Sequence, residues 1–493
     1  MAVFGRELLT PFLRGVQPSL RRTPQEAVDE YWSAYGNGIN SYGDWLNARE
    51  SFRAQTGNIP VPIRGGGRAA MWTAEKILKS VPNAHIVLYD DEAVLGGMAR
   101  RAISSFIPGH VPAKTGAFRD AMKLVTSPRL DIIPNTSISE SALVGMAAAH
   151  RLPVVIDAPG AVPARGAYPY GERVWDIMDL VKNINRPFDE DGHMGRVQVP
   201  VSRSSNGRRL PKISVIGGNT GRDAQVAFSL VDTVRDIAEL FGVPVEEINE
   251  AKILEHGITK TRSELGLSPL GDRYIYRRSI GEMSGVKKLF PKTAKLERGN
   301  PELAAILENG ILGVNGWQEK EGGQFLGNTE LEFVEDDGAK LRARLRNNVS
   351  HTTEDVDASL ALISTGFTPG TPFRVTAGEG ETMSVDVGMK VSGGGDLVST
   401  MESVKTVVPA VIERLSAVGG AYPDSVYRTW LTALGEAQHN AGVVGEGGTP
   451  KDPIAFMIEH GPRHMTDRVF IGFAEQDSTS QSLPVRIQVD EHV

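Results

Sequence analysis

A glycine-rich turn and an acid downstream of it have the types and spacing that bind phosphate and ribose. Gly65, Gly67 and Ala70 fit the pattern G-x-G-x-x-A. The first residue allows a tight turn, the second lets a pyrophosphate approach the backbone, and the third lets a helix pack on a strand. The N-terminus of that helix offers N–H groups and a positive dipole end to phosphates. Asp90 or Asp91 follows, where an acid can bind ribose hydroxyls. The spacing therefore predicts a dinucleotide site.

A second glycine turn lies near the middle of the chain. A strand pattern over residues 212–216 (Lys-Ile-Ser-Val-Ile) precedes Gly217 and Gly218, and a helical pattern follows them. Further on, a strand pattern ends in the paired Arg277 and Arg278. The order strand, glycine turn, helix, strand is therefore present twice, which predicts two nucleotide-binding βαβ units.

Two apolar segments connect these units. Residues 152–163 and 360–369 share one plan, in which an apolar strand is followed by a small residue, a glycine and a proline; Gly366 is the glycine of the second segment. This duplication predicts that one domain is inserted within another and that the chain crosses between them twice. Between the crossings, residues 175–185 have apolar spacing that predicts a helix.

The predicted first strand, over residues 59–64, contains Pro60 and Pro62. Proline donates no hydrogen bond to a sheet and is unfavourable in a central strand. We therefore expect either a strand limited to residues 63–64 or a local distortion.

The amino-acid composition excludes several classes of function. The chain has 493 residues, enough for two or three domains, and a net charge of -7 that argues against nucleic-acid binding by the whole chain. It contains no run of 18 apolar residues, so no membrane span is expected. The absence of cysteine excludes a dithiol, a thiolate zinc site and a cysteine nucleophile within the chain. Redox chemistry would therefore require a bound organic cofactor.

Both ends extend beyond the two glycine-turn units. Residues 23–26 (Thr-Pro-Gln-Glu) form a capping box that predicts a helix through about Tyr35, and aromatic residues predict that this arm docks on the body. Residues 424–438 have a helical pattern, and residues 468–473 have a strand pattern. The two extensions are expected to form a structural arm, a cap or an oligomer interface.

These motifs resemble the flavoproteins with two dinucleotide-binding domains. More narrowly, they look like the adrenodoxin reductase type of ferredoxin–NADP reductase, with the small subunit of glutamate synthase as a relative. The resemblance covers about residues 58–418. It implies that FAD binds at Gly65, Gly67, Arg68, Ala70, Asp90, Asp91, Gly97, Met98, Arg100, Gly366, Gly388, Met389, Asp396 and Thr400. It also places His110 where it could tune the flavin or carry a proton, although a histidine in a surface loop fits equally well.

The same resemblance implies a nicotinamide site at Gly217, Gly218, Asn219, Thr220, Arg277 and Arg278. Two guanidinium groups at a strand end can hold a 2′-phosphate bidentately, which would select NADPH over NADH. The sequence departs from the family in three places, one of which is Pro62 in the first strand. Its second glycine motif is one residue shorter, and Met389, Val391 and Ser392 stand where the family has tryptophan, lysine and arginine.

We therefore predict an α/β protein with two Rossmann-like dinucleotide-binding domains, one inserted in the other, between a helical N-terminal extension and a mixed C-terminal extension. The predicted units are an N-terminal extension (1–57), a discontinuous FAD domain (58–165 and 356–418), an NAD(P) domain (166–355) and a C-terminal extension (419–493).

The expected function is an FAD-dependent oxidoreductase that takes hydride from NADPH and passes electrons to a ferredoxin-like or other acceptor in the cytoplasm. Residues 252–298 hold eleven Lys/Arg against five Asp/Glu, and this surplus could steer an acidic partner or could be a solvated face with the NADP arginines. Two alternatives remain open: a flavoenzyme acting directly on a small molecule, with an altered or lost NADPH site, and a non-catalytic FAD-binding scaffold. No metal site and no nucleic-acid partner are predicted.

Overall fold

The computed structural model describes residues 24–100, 110–171, 173–176, 178–179 and 396–460, together with segments between 202 and 387. Those segments are 202–203, 209–210, 213–217, parts of 230–267, 273–277, 323–327, 329–336, 341–358, 360–364, 367–369 and 382–387. Within this part of the chain, no helix is long and apolar enough to span a membrane.

The helices are α1 (Pro24–Tyr35), α2 (Tyr42–Ala54), α3 (Arg68–Ser80), α4 (Gly97–Arg100), α5 (His110–Val125), α6 (Glu140–His150), α7 (Ile258–Glu264), α8 (Asp396–Val418), α9 (Asp424–Asn440) and α10 (Pro453–His460). The strands are β1 (Ile59–Arg64), β2 (Ala84–Tyr89), β3 (Leu130–Ile133), β4 (Val154–Asp157), β5 (Ala161–Pro163), β6 (Val174–Asp176), β7 (Ser202–Arg203), β8 (Arg209–Leu210), β9 (Ile213–Gly217), β10 (Arg273–Arg277), β11 (Gly323–Gly327), β12 (Thr329–Asp336), β13 (Leu341–Asn347), β14 (Thr353–Ala358), β15 (Leu360–Ser364), β16 (Phe367–Pro369) and β17 (Met383–Asp386).

The first sheet has the strand order β3-β2-β1-β4-β17, and each neighbouring pair is parallel. All residues of β2 and β4 are buried, as expected for parallel strands covered on both faces. The order reverses between β1 and β4, so the carboxyl ends of these two strands form a topological switch point. Dinucleotides bind at such a switch point in Rossmann folds.

The second sheet has the order β11-β10-β9-β15-β6, again with parallel neighbours, and β12, β13 and β14 form an antiparallel meander beside it. All strands of the second sheet and the meander come from residues 174–364, between β4 and β17 of the first sheet. The two predicted crossings meet where β5 pairs antiparallel with β16. The predicted α/β class with parallel sheets is therefore confirmed, whereas the division into two dinucleotide-binding domains, one inserted in the other, and the domain boundaries stay predictions.

The first strand is longer than its prolines suggested. β1 pairs with β2 over all six residues, but with β4 only at Ile63 and Arg64. Ile59 and Gly65 donate their N–H groups to carbonyls at either end of β2. Because backbone groups alternate along a strand, the donors that Pro60 and Pro62 lack would have pointed towards β4. Beyond residues 63 and 64, β4 offers β1 no pairing, so neither proline removes a ladder hydrogen bond.

The predicted helix over residues 175–185 is wrong at its start. Trp175 and Asp176 belong to the strand β6, which pairs with β15. The Asp176 carboxylate then accepts the backbone N–H groups of Met178 and Asp179, and these two residues are helical, so a helix starts directly after the strand. Apolar spacing over a short segment does not separate an edge strand from a helix turn. Residues 180–185 lie outside the described residues.

The N-terminal arm docks on the body, as its aromatic residues predicted. Trp32 and Trp45 are buried, and the Trp32 indole N–H donates to Asp452 over 3.0 Å. The Tyr42 hydroxyl donates to the carbonyl of Pro450. Helices α1 and α2 therefore contact α10 and the loop before it, which links the described parts of the two extensions.

A buried carboxylate ties both extensions to the first sheet. Asp131, in β3, accepts hydrogen bonds from Arg49 (2.7 Å) and Arg53 in α2, from His85 in β2 (2.7 Å) and from Gln438 in α9 (3.0 Å). Burial alone would raise the pKa of Asp131, but Arg53 and Arg49 hold it well below its usual range. Four elements that are distant in sequence thus meet at one anion.

His85 completes this buried cluster in its neutral form. Its Nε2 lies 2.7 Å from Asp131, and its Nδ1 lies 2.8 Å from the Tyr427 hydroxyl. Asp131 can only accept, so this network assigns the proton to Nε2 and makes Nδ1 the acceptor from Tyr427. Burial lowers the pKa of His85 to about 4, although the hydrogen bond with Asp131 acts in the opposite direction.

This pKa predicts how stability depends on pH. A histidine with a folded pKa near 4 and an unfolded pKa near 6.5 binds its proton more readily in the unfolded chain. The free energy of unfolding should therefore fall as the pH drops from about 6.5 to about 4, by on the order of 3 kcal/mol. Urea unfolding across this range measures the effect, and H85Q should remove most of the slope. His150, whose pKa burial also lowers, contributes with the same sign, so H150Q is the comparison. An unchanged slope in H85Q would contradict the assignment.

Candidate functional site

The first glycine turn joins β1 to α3 at the switch point. Gly65 has a φ of +99°, and its N–H donates to the Tyr89 carbonyl over 2.7 Å. A Cβ on Gly65 would lie 2.3 Å from the carbonyl oxygen of Ala158, just after β4. The predicted tight turn is therefore present, and both its backbone conformation and its close contact with the neighbouring strand require glycine.

Gly67 and Ala70 have the roles that their spacing predicted. Gly67 is the N-cap of α3, and no side chain of the described residues caps the helix there. A Cβ on Gly67 would meet no described atom within 4 Å, so the space above the helix N-terminus is open. Ala70 is fully buried, which lets α3 pack closely. An uncapped helix end with open space above it suits a phosphate group.

The acid predicted to bind ribose lies directly against this turn. Asp90 follows β2 and is buried, whereas its neighbour Asp91 is exposed. A Cβ on Gly66 would lie 1.9 Å from the Asp90 Oδ2 atom, so the carboxylate abuts the backbone of the turn. The fingerprint accepts any residue at position 66, but the contact with Asp90 leaves no room for a side chain there. The site therefore includes Gly66. The run of three glycines in the sequence is the signal that could have identified it.

The loop after the acid packs on the same turn. The Gly96 N–H donates to the Gly66 carbonyl over 2.8 Å, and Gly97 has a φ of +52°. A Cβ on Gly97 would lie 2.9 Å from the Gly67 Cα atom. Met98 follows and is 36% exposed. The two backbones thus form one glycine-lined cradle at the end of β1.

Two arginines flank the cradle, and each is paired with an aspartate. Arg64, before the turn, forms a bidentate ion pair with Asp157 at the end of β4; its Nη2 donates to Oδ2 over 2.7 Å. Arg68, after the turn, lies 3.7 Å from Asp120, and its guanidinium carbon is 5.3 Å from the centroid of the Trp72 ring. Arg68 was predicted as a binding residue, whereas Arg64 was not.

The second predicted site is described only in part. Gly217 ends β9 and Arg277 ends β10, and these two parallel strands are neighbours. The pair Ile216 and Tyr276 is in register, so Gly217 and Arg277 lie at the same edge of the sheet. The predicted Gly218, Asn219, Thr220 and Arg278 lie outside the described residues.

Other predicted residues lie on elements around the first cradle. Thr400 is buried in α8, the helix that Asp396 begins and that packs on α3. His110 begins α5 and so does not lie in a loop. The side chains of Arg100, His110 and Asp396, together with Gly366, Gly388 and Met389, lie outside what the structure describes.

Substitution of Gly67 should weaken FAD binding while leaving the stability of the fold almost unchanged. Gly67→Ala adds a methyl group to open space at a φ of −73°, so we expect the free energy of unfolding to change by less than about 1 kcal/mol. A bound pyrophosphate would meet that methyl group, so the Kd for FAD should rise at least about tenfold. Fluorescence titration with FAD measures this. Gly145→Ala, which also adds a methyl group to open space, is the matched control and should bind FAD like the unmodified chain. Equal affinities of all three proteins would argue against the site.

No protein-family model matches the chain, and no curated protein matches it. The solved structures similar to it include FprA, an oxidoreductase of Mycobacterium tuberculosis determined in complex with NADPH. It is 18% identical with a TM-score of 0.49, over 82% of this chain and 99% of that chain. A thioredoxin reductase of Lactococcus lactis is 13% identical with a TM-score of 0.39, over 73% of this chain and 100% of that chain.

Histamine dehydrogenase of Rhizobium sp. 4-9 is 13% identical with a TM-score of 0.42. The match covers 72% of this chain but only 44% of the dehydrogenase, so this chain spans less than half of that relative. At these identities and TM-scores, the similarities assign neither a family nor an activity to the chain.

Proposed function

We propose that this protein is an FAD-dependent oxidoreductase. The observation that carries the proposal is the cradle at the end of β1, where Gly65, Gly66 and Gly67 meet the acid Asp90 and the backbone of Gly97. The pyrophosphate would bind over Gly67 at the N-terminus of α3. Asp90 would bind the ribose from the end of β2, so both groups would be held by backbone and side chain at the switch point.

The second sheet supports a nicotinamide site in the proposal. Gly217 and Arg277 lie at the same edge of neighbouring parallel strands, as a second dinucleotide would require. Arg277 with Arg278 would hold a 2′-phosphate, so NADPH is the proposed donor. In a chain without cysteine, a bound flavin would supply the hydride and electron transfer chemistry. The protein would bind and orient the two cofactors, and the proposed acceptor is a ferredoxin-like protein or a small molecule.

Anaerobic reduction tests this function. The purified full chain is loaded with FAD, and its absorbance is followed near 450 nm, where flavins absorb, after NADPH or NADH is added. Bleaching by NADPH at a much lower concentration than NADH is the expected result. A flavin that both nucleotides leave oxidised would contradict the NADPH half of the proposal. It would favour the alternative that a small molecule reduces the flavin directly.

A further inference from the structure

The switch point at the ends of β1 and β4 carries an ion pair that the nucleotide fingerprint does not include. Arg64 and Asp157 are the last residues of β1 and β4, and they lie opposite each other in register. The guanidinium donates to both carboxylate oxygens, through Nε to Oδ1 and through Nη2 to Oδ2. Asp157 is almost fully buried, and the Arg64 side chain is 20% exposed. Bidentate pairs of this kind fix geometry as well as adding energy.

The backbone ladder between these two strands is short. β1 shares six residue pairs with β2 but only two with β4. The side of β1 that faces β4 carries Pro60 and Pro62, which have no N–H to donate. Beside the turn, the backbone N–H of Ala158 donates to the Arg64 carbonyl over 2.8 Å. The side-chain pair therefore adds two hydrogen bonds at the end of a short ladder.

The position of the glycine turn depends on this same junction. Gly65 follows Arg64 and packs against the Ala158 carbonyl, and Ala158 follows Asp157. A change in the separation of Arg64 from Asp157 would thus shift Gly65 and the helix N-terminus beyond it. We propose that the Arg64/Asp157 ion pair is a positioning element that fixes the cradle in the geometry that binds FAD. This inference rests on the proposed function.

The test compares two matched pairs of charged residues. Arg344 and Asp355 form another bidentate, in-register pair between adjacent strands, on the exposed face of the meander, with bonds of 2.6 and 2.8 Å. The full-length double variants R64M/D157L and R344M/D355L each replace both partners, so neither leaves an unpaired charge. R64K keeps the positive charge but cannot donate the two parallel hydrogen bonds that the guanidinium group makes to the carboxylate. Each protein is titrated with FAD by flavin fluorescence, and its unfolding is followed without FAD.

We expect R64M/D157L to unfold cooperatively without FAD but to bind FAD at least about tenfold more weakly than the unmodified chain. R64K should bind FAD with intermediate affinity, because an ammonium group cannot pair bidentately with the carboxylate. R344M/D355L should bind like the unmodified chain. If R64M/D157L fails to fold, R64K decides the question, because a purely electrostatic role would leave its affinity unchanged.

Two results would overturn the inference while leaving the proposed function intact. One is an R64M/D157L protein, or in its absence R64K, that binds FAD as tightly as the unmodified chain. The other is an equal loss of affinity in R344M/D355L, which would show a general effect of removing charge pairs. If the unmodified chain binds no FAD, the proposed function fails, and this inference fails with it.

Discussion

Asp131→Ala should lower the free energy of unfolding by about 3–5 kcal/mol, the largest loss of stability expected from any single substitution considered. The substitution leaves Arg49 and Arg53 with no carboxylate at the site where both now donate. It also removes the acceptor of His85 and Gln438, which are buried and cannot turn to water. The free energy of unfolding therefore falls for two reasons: hydrogen bonds are lost, and buried charges and donors are left without an acceptor.

Urea unfolding at pH 7 measures this loss. Asp355→Ala removes a carboxylate that also pairs with an arginine, but the pair is exposed on the meander. We expect no measurable change in that control, because water replaces the lost contact. A small effect of Asp131→Ala, similar to that of Asp355→Ala, would show that the extensions do not depend on this anion.

Gly65→Ala should abolish FAD binding and also destabilise the protein. Alanine would have to adopt a φ of +99°, and its Cβ would lie 2.3 Å from a backbone oxygen that cannot move aside as a flexible side chain would. We expect a loss of about 2–3 kcal/mol in the free energy of unfolding. The Kd for FAD should rise more than about 100-fold, because the turn that positions the helix N-terminus must shift.

Substitution of Gly242 separates the effect of backbone strain from the effect of the steric clash expected at Gly65. Gly242 also has a positive φ, of +60°, but a Cβ there would meet no described atom within 4 Å. Gly242→Ala should therefore lower stability through strain alone and leave the Kd for FAD unchanged. Thermal unfolding and FAD titration of both variants measure the difference. An FAD affinity in Gly65→Ala equal to that of Gly242→Ala would contradict the role given to the turn.

The parts of the fold that local patterns specify could be predicted. The turn at Gly65 and Gly67, the acid at Asp90 and the helix that begins at Pro24 each depend on residues close in sequence. Glycine conformations, helix caps and the spacing of small residues are local physical constraints, so the sequence alone reveals them. The two parallel sheets followed from the repeated order of strand, turn and helix.

Features that depend on which strands become neighbours could not be predicted. The prolines of β1 are harmless only because β4 pairs with its last two residues, which no local pattern shows. The ion pair of Arg64 with Asp157 joins residues 93 positions apart, and the bond from Gln438 to Asp131 joins residues 307 positions apart. Such pairs form through the packing of distant elements, so each residue alone looks like an ordinary surface charge or polar residue.

An equilibrium titration of the full chain with FAD, followed by flavin fluorescence and by the visible spectrum, tests FAD binding at the first glycine turn directly. We expect saturable binding of one FAD per chain, together with a change in the flavin bands as the cofactor enters the cradle formed by residues 65–67, Asp90 and Gly97. A colourless protein that takes up no added FAD would contradict the assignment of that cradle and the oxidoreductase function built on it.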